Sequence, residues 1–111
     1  MTYTLLYYSD DLRAAIMALP DSLVARYFAL TDRMEIYGAN LGEPHTKALG
    51  DGLFELRLKA ADGIARVFYC TCVNRGIVML HCFVKKSQKI PMKELQIAQI
   101  RMKEIKYADA R

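Results

Sequence analysis

The segment Leu53–Lys59 alternates between apolar and charged residues, and its charged positions are Glu55, Arg57 and Lys59. Alternation with a period of two is typical of a strand with one buried face. Guanidinium and ammonium groups stabilise negative charge that develops on phosphate oxygens, and a nearby carboxylate or imidazole can transfer a proton. The pattern therefore predicts a strand that presents groups suited to phosphate chemistry.

Two further strands are predicted, over Ile64–Cys72 and Ile77–Val84, because turn residues stand at Asp62-Gly63 and at Asn74-Arg75-Gly76. Short loops between consecutive strands make an antiparallel meander. A loop over residues 60–63 and a loop that closes Cys72 on Ile77 predict these opposed pairs: Lys59 with Ile64, Arg57 with Arg66, Glu55 with Phe68, Phe68 with His81, and Arg66 with Phe83.

The two faces of this meander are predicted to differ in chemistry. One face is apolar and is expected to be the core, covered by helices: Phe54, Leu56, Leu58, Val67, Tyr69, Val78, Leu80, Cys82 and Val84. The other face is mainly charged and aromatic: Glu55, Arg57, Lys59, Arg66, Phe68, Cys70, His81, Phe83 and Lys85. A slip of one residue would bury the charges, which argues against another register.

The charged face has two interpretations. Opposed Arg57 and Arg66 repel each other by up to ~1 kcal/mol, and in the simpler interpretation every charge just points to solvent. In the functional interpretation the cluster binds a polyanion such as RNA: Arg57, Arg66, Lys59 and Lys85 supply positive charge, and exposed Phe68 and Phe83 stack on bases. Removing either arginine is then expected to leave stability unchanged or slightly higher.

Glu55 and His81 are the only plausible general base and acid on this face, where they flank Phe68 and could straddle a phosphate. The alternatives are a Glu55 that holds an arginine through a salt bridge, and a strand histidine with no catalytic role. His45 falls in a turn-rich connector over residues 39–52 and is expected to be simply exposed.

The remaining elements are helices that can cover the apolar face. A strand over Tyr3–Tyr8 precedes a helix capped by Asp10 or Asp11, and a second helix runs from Asp21 or Ser22 to a C-cap at Gly38. Pro91 fits the first turn of a last helix. The predicted order is β-α-α-β-β-β-α, an α+β fold with an antiparallel meander packed against helices, in one domain over residues 1–111.

Composition excludes several classes of protein. The chain has 111 residues and a net charge of +4. It lacks a signal-peptide pattern and the ~18 consecutive apolar residues of a membrane span, so no membrane partner is expected. Three cysteines without a framework spacing indicate free thiols in a reducing cytoplasm, and Cys70-Thr-Cys72 lacks the spacing of a metal site.

Three segments resemble the HigB-like, phage-derived subfamily of the RelE/ParE toxins: Gly52–Arg57 (GLFELR), Arg66–Tyr69 (RVFY) and Met79–Pro91 (MLHCFVKKSQKIP). With the last helix they cover about residues 49–105 in the family's order. The resemblance implies a RelE-like fold, and a toxin of a type II toxin–antitoxin pair that cuts mRNA on the ribosome without metal or cofactor. By motif, it implies functional roles for Arg57, Arg66 and Lys85, with Lys86 beside them.

The resemblance also implies a partner, a small helix-turn-helix (HigA-like) antitoxin. It leaves a second function open, because ParE-type relatives share the fold and inhibit DNA gyrase without cutting RNA. The cationic face favours the nuclease, since a gyrase inhibitor has no need of it.

Overall fold

The computed structural model describes residues 2–109 of the chain. The elements follow the order β1 (Thr4–Tyr7), α1 (Asp10–Met17), α2 (Asp21–Tyr37), β2 (Thr46–Gly50), β3 (Leu53–Ala60), β4 (Gly63–Cys72), β5 (Gly76–Val84) and α3 (Met92–Asp109). The predicted C-cap of α2 is confirmed, since the Gly38 backbone N–H donates to the Met34 carbonyl. The cap of α1 is Ser9, whose hydroxyl accepts from the Leu12 N–H, rather than Asp10 or Asp11.

The strands form one mixed sheet in the order β1-β5-β4-β3-β2. Strand β1 runs parallel to β5 and the other neighbours are antiparallel, so the α+β class and the meander are confirmed. Strand β2 is an addition, because residues 39–52 had been predicted as a connector. The two-residue turn Asp51-Gly52 joins it to β3 with positive φ at both positions, the geometry for which Asp-Gly is favoured.

The five opposed pairs predicted for the meander occur in the structure, including Arg57 with Arg66 and Phe68 with His81, but the predicted closure of Cys72 on Ile77 is wrong, because Cys72 lies opposite Gly76. Beyond Phe68 the pairing shifts by one residue, so that Tyr69 lies opposite Met79. This β-bulge reverses the facing of the first half of β5 relative to the prediction. The assignment of Val78 and Leu80 to the predicted core face is therefore wrong.

The sheet has a hydrophobic core on each face. Helices α1 and α2 cover one face, where Leu56, Leu58, Val67 and Tyr69 are buried as predicted. Helix α3 covers part of the other face, and its Ala98 and Met102 pack on a second buried cluster of Leu53, Phe68, Cys70, Val78 and Leu80. Helix α3 thus covers part of the face that was predicted to be open. The end of this face with Arg57, Lys59, Arg66 and Lys85 remains uncovered.

Within residues 2–109, no helix is both long and apolar enough to cross a membrane. The three cysteines are free thiols, as the sequence indicated. Burial raises the pKa of Cys70 and of Cys82 to about 11, so both remain protonated at neutral pH.

Candidate functional site

A pocket of about 520 Å³ lies at the end of the sheet face that α3 leaves uncovered. Its wall is mainly cationic, and it is lined by Arg26, Pro44, His45, Arg57, Lys59, Ile64, Arg66, Lys85 and Gln88. Arginine forks and lysine ammonium groups are the side chains that proteins use to bind phosphate. The lining therefore suits a phosphate-bearing ligand.

Strand geometry brings four of these cations together. Arg57 and Lys59 are two residues apart in β3 and therefore lie on the same face of the sheet. Arg66 of β4 lies directly opposite Arg57. Pairing continues one residue past β5, since the Lys85 backbone N–H donates to the Ile64 carbonyl at 2.8 Å. The predicted grouping of Arg57, Lys59, Arg66 and Lys85 around one space is what the structure contains.

Glu55 is a buried carboxylate that lies between the two opposed arginines, with 2% of its side chain exposed. Its Oε2 accepts from Arg57 Nε at 3.1 Å, and its Oε1 lies 3.2 Å from Arg66 Nε. The second contact is an ion pair without an aligned hydrogen bond, because the Arg66 Nε–H does not point at the oxygen. Glu55 thus offsets the repulsion predicted between the arginines.

The arginines have further partners outside this pair. Arg57 Nη1 donates to the exposed Glu43 carboxylate at 3.2 Å, and Arg66 Nη1 donates to the Ala65 carbonyl at 3.2 Å. A Glu55 enclosed in this way holds the arginine forks in place. Glu55 is not among the residues that line the pocket, so the structure favours the salt-bridge interpretation over that of a general base.

Two cations of the pocket have lowered pKa values. Burial lowers the pKa of Arg66, with Arg57 adding to the effect, although the charge of Glu55 opposes it. Burial and the nearby Arg66 lower the pKa of Lys85. In both groups burial is the larger cause and a neighbouring cation adds to it, and an anionic ligand would offset that part of the effect.

Three other predicted residues lie outside the pocket. Phe68 has no exposed surface and packs beneath α3, so the prediction that it stacks on a base is wrong. His81 Nε2 donates to the Glu94 carboxylate of α3 at 2.7 Å. Phe83 is half-buried, with its ring centre 5.6 Å from that of Phe68.

Lys86 also falls outside the pocket. Its side chain is exposed and lines a shallow neighbouring depression together with Ile64, Lys85, Ser87 and Gln88. This position allows a contact with a long ligand that extends out of the pocket, but not with a group bound within it.

Sequence reasoning missed three polar residues of the lining, Arg26, His45 and Gln88. His45 precedes β2, and its carbonyl accepts from the Arg57 N–H at 2.8 Å, so it is fixed beside Arg57 and half-buried rather than simply exposed. Recognising β2 would have revealed this neighbour. Arg26 of α2 borders the buried stripe of that helix, and the sequence gives no signal that it reaches the pocket.

His45 is the titratable group of the pocket other than Arg and Lys. Arg26 Nη2 lies 3.4 Å from His45 Nδ1, and because a guanidinium can only donate, Nδ1 accepts. Partial burial and the charges of Arg26 and Arg33 lower the pKa of His45 below its ordinary value. The imidazole is therefore neutral at pH 7 and can accept a proton.

A second depression, of about 560 Å³, lies between the β2–β3 hairpin and α3. Its wall is mainly apolar, with Leu49, Leu53, Ile90, Leu95 and Met102, and its charged members are Asp51 and Lys103. A single Asp and a single Lys do not make the cationic cluster that phosphate chemistry needs, so the first pocket is the candidate site.

Comparison with known proteins places the chain among phage-related sequences. The family described as "Phage derived protein Gp49-like" matches residues 14–103. The fold is similar to that of a chain in the archaeal RelE–RelB complex from Pyrococcus horikoshii OT3, with a TM-score of 0.56 and 21% identity over 76% of this chain and 96% of that one. The predicted RelE-like fold is thereby confirmed. A search of curated proteins found no match.

Proposed function

Since this chain belongs to the Gp49-like family of phage-derived proteins, we propose that it is the toxin of a type II toxin–antitoxin pair. We further propose that it is a ribosome-dependent endoribonuclease that cuts mRNA and so blocks translation. The observation that carries the proposal is the pocket in which Arg26, Arg57, Lys59, Arg66 and Lys85 surround one space. The motifs shared with HigB-like toxins support the same activity.

The proposed chemistry is attack of a ribose 2′-hydroxyl on the adjacent phosphate. Negative charge then builds on the phosphate oxygens, and preorganised cations stabilise it without having to reorient. Arg57 and Arg66 are preorganised by Glu55, and Lys85 is fixed by its pairing with Ile64. In this proposal these three cations supply the electrostatic stabilisation that other nucleases obtain from a metal ion.

The proposed partners are a ribosome carrying mRNA and an antitoxin of the helix-turn-helix type, with both toxin and antitoxin in the cytoplasm. The structurally similar protein was crystallised in a RelE–RelB complex, which supports an antitoxin partner for this chain. An antitoxin would block activity either by covering the cationic pocket or by preventing its access to the ribosome.

Brief induction in a bacterial host, followed by primer extension on cellular mRNA, tests the proposal. We expect growth arrest and new mRNA 5′ ends in wild type, and rescue by the co-expressed antitoxin. Lys85→Ala should lose about 10²–10³-fold in cleavage, the cost of removing one oriented donor. The adjacent Lys86→Ala is the matched control and should cost far less, because Lys86 does not line the pocket.

The outcome that would contradict the nuclease is growth arrest with intact mRNA. A supercoiling assay with purified gyrase would then test the alternative implied by the ParE-type relatives. Unimpaired growth at high soluble expression would contradict the toxin itself.

A further inference from the structure

His45 stands apart from the other pocket residues because it can accept a proton at neutral pH. The lining otherwise consists of Arg26, Arg57, Lys59, Arg66 and Lys85, which are charged donors, together with Pro44, Ile64 and Gln88, which do not titrate. Attack by a 2′-hydroxyl needs a group that removes its proton. Of the base and acid pair predicted from the sequence, Glu55 is enclosed by Arg57 and Arg66, and His81 is bound to Glu94.

We propose that His45 is the general base of this pocket and that Arg26 is its positioning residue, an inference that rests on the proposed nuclease function. The backbone contact between the His45 carbonyl and the Arg57 N–H places the imidazole next to the arginine that would hold the phosphate. A base and an oriented cation beside each other are what attack on that phosphate requires.

The contact between Arg26 and His45 is weak enough for a bound phosphate to replace it. At 3.4 Å it is long for a hydrogen bond and therefore weak. Arg26 itself lines the pocket, so an entering phosphate would compete for its guanidinium and free the Nδ1 lone pair. In the resting state the neutral ring then carries its proton on Nε2, and Nδ1 is the atom that becomes the base.

The reaction balances without a further reactant. Nδ1 of His45 takes the proton of the 2′-hydroxyl as the O2′–P bond forms, and the P–O5′ bond breaks. The departing 5′-oxygen takes a proton from water. The products are a 2′,3′-cyclic phosphate and a free 5′-hydroxyl, and the imidazolium returns its proton to solvent.

The charges around His45 set the expected pH dependence. Arg26 and Arg33 face it from α2, Arg57, Lys59 and Arg66 from the sheet, and Lys85 from the end of β5, while Glu43 is bound to Arg57. Burial and the α2 arginines lower its pKa below 6.5. Cleavage should therefore rise with pH through a midpoint below 6.5 and level off above it, since the base must be unprotonated.

Cleavage of a ribosome-bound mRNA by the full chain tests the inference. His45→Ala and His45→Asn should each lower the single-turnover rate by about 10²–10⁴-fold, the usual contribution of a general base. Both should still co-sediment with ribosomes, and the rising limb of the pH profile should disappear. His81→Asn is the matched control, because it removes the second of the two histidines, which lies outside the pocket, and its pH profile should keep the rising limb.

Arg26→Gln tests the positioning role through a property that a merely structural residue would not change. Loss of its charge should raise the pKa of His45 towards 6.5 and move the rising limb to higher pH. The imidazole can be followed directly by NMR titration in the His81→Asn background, where His45 is the one remaining histidine.

The outcomes separate this inference from the proposed function. If wild type leaves ribosome-bound mRNA intact, the nuclease proposal fails. If wild type cuts but folded His45→Ala and His45→Asn cut at the same rate, or keep the rising limb, His45 is not the base. Thermal melts identify a variant that is unfolded, and the two substitutions differ enough in polarity that a folded one decides the question.

Discussion

Glu55 has the second of the two roles that its position in the sequence allowed, that of a salt-bridge partner for the arginines. On the sheet face it looked like a proton acceptor, yet it is buried between Arg57 and Arg66 and holds both. Removing a partner of a buried carboxylate is strongly unfavourable, whereas water can take the place of an arginine that is partly exposed. The two arginines therefore cannot be equivalent for stability, although both line the pocket.

We expect Arg66→Ala to lower the free energy of unfolding by about 1–3 kcal/mol, because it leaves Glu55 buried with one partner fewer. Arg57→Ala also removes a partner of Glu55, the one that donates a hydrogen bond to it, but it should cost less than about 1 kcal/mol, since Arg57 is the more exposed of the two and water can take its place. Urea unfolding of purified variants measures both. This prediction differs from the expectation from sequence that removing either arginine leaves stability unchanged or slightly higher.

A double variant provides the control for this ranking. Glu55→Gln combined with Arg66→Gln removes both buried charges and should recover most of the stability that Arg66→Ala loses. Equal unfolding midpoints for Arg66→Ala and wild type would mean that Glu55 does not depend on Arg66.

Residue types and alternation were enough to predict that Arg57, Lys59, Arg66 and Lys85 share one space, because strand period and turn length determine those positions. They could not predict the place of Arg26 and His45. The contact of His45 depends on a strand too short to show a period, and that of Arg26 depends on how α2 lies across the sheet. Both are tertiary relations that no local pattern encodes.

At the scale of elements, the β-bulge between Phe68 and Tyr69 decides what α3 covers. It turns Val78 and Leu80 towards α3, where they join Phe68 and Cys70 in the second core. Turn chemistry fixes the register near each hairpin, but an extra residue within a strand has no comparable signal in a run of apolar residues. For this reason the predicted core face failed in the first half of β5 and held in β3 and β4, while Val84 at the end of β5 is exposed rather than buried.

The covered position of Phe68 leads to a prediction about stability rather than binding. Phe68→Ala should lower the free energy of unfolding by about 3–5 kcal/mol, as large-to-small changes in a core do. Phe68→Leu should cost about 1.5 kcal/mol or less and keep full mRNA cleavage. Calorimetry and primer extension on the same preparations measure the two effects.

The neighbouring Phe83 serves as the comparison, since it is half-buried against Phe68. Phe83→Ala should destabilise the protein less than Phe68→Ala does. A folded Phe68→Leu variant that binds RNA much more weakly than wild type would favour the stacking role after all.

For RNA binding, the net charge of +4 matters less than the clustering of positive side chains at one pocket. Binding of a single-stranded RNA should weaken steeply with salt, with a log–log slope of about −0.7 for each phosphate that a cation neutralises. Lys59→Ala should make that slope shallower by about one contact. Fluorescence anisotropy over a range of salt concentrations measures both slopes.

Lys103 of α3 is the matched control, because it is exposed and lines the apolar depression rather than the cationic pocket. Lys103→Ala removes the same charge from the whole molecule and should leave the slope unchanged. Equal slopes for wild type and Lys59→Ala would mean that the pocket does not contact phosphates.

The parallel pairing of β1 with β5 joins residues that are far apart in the sequence, such as Leu5 and Ile77, and are therefore synthesised at different times. Contacts of such sequence separation form late, because a long loop must close before they are gained. Lys85 follows β5, so the sheet and the cationic pocket are completed at the same late stage of synthesis. A nascent chain therefore acquires its full site only after β5, Lys85 and Gln88 have been made, and a truncated product that stops before β5 would lack both the closed sheet and the site.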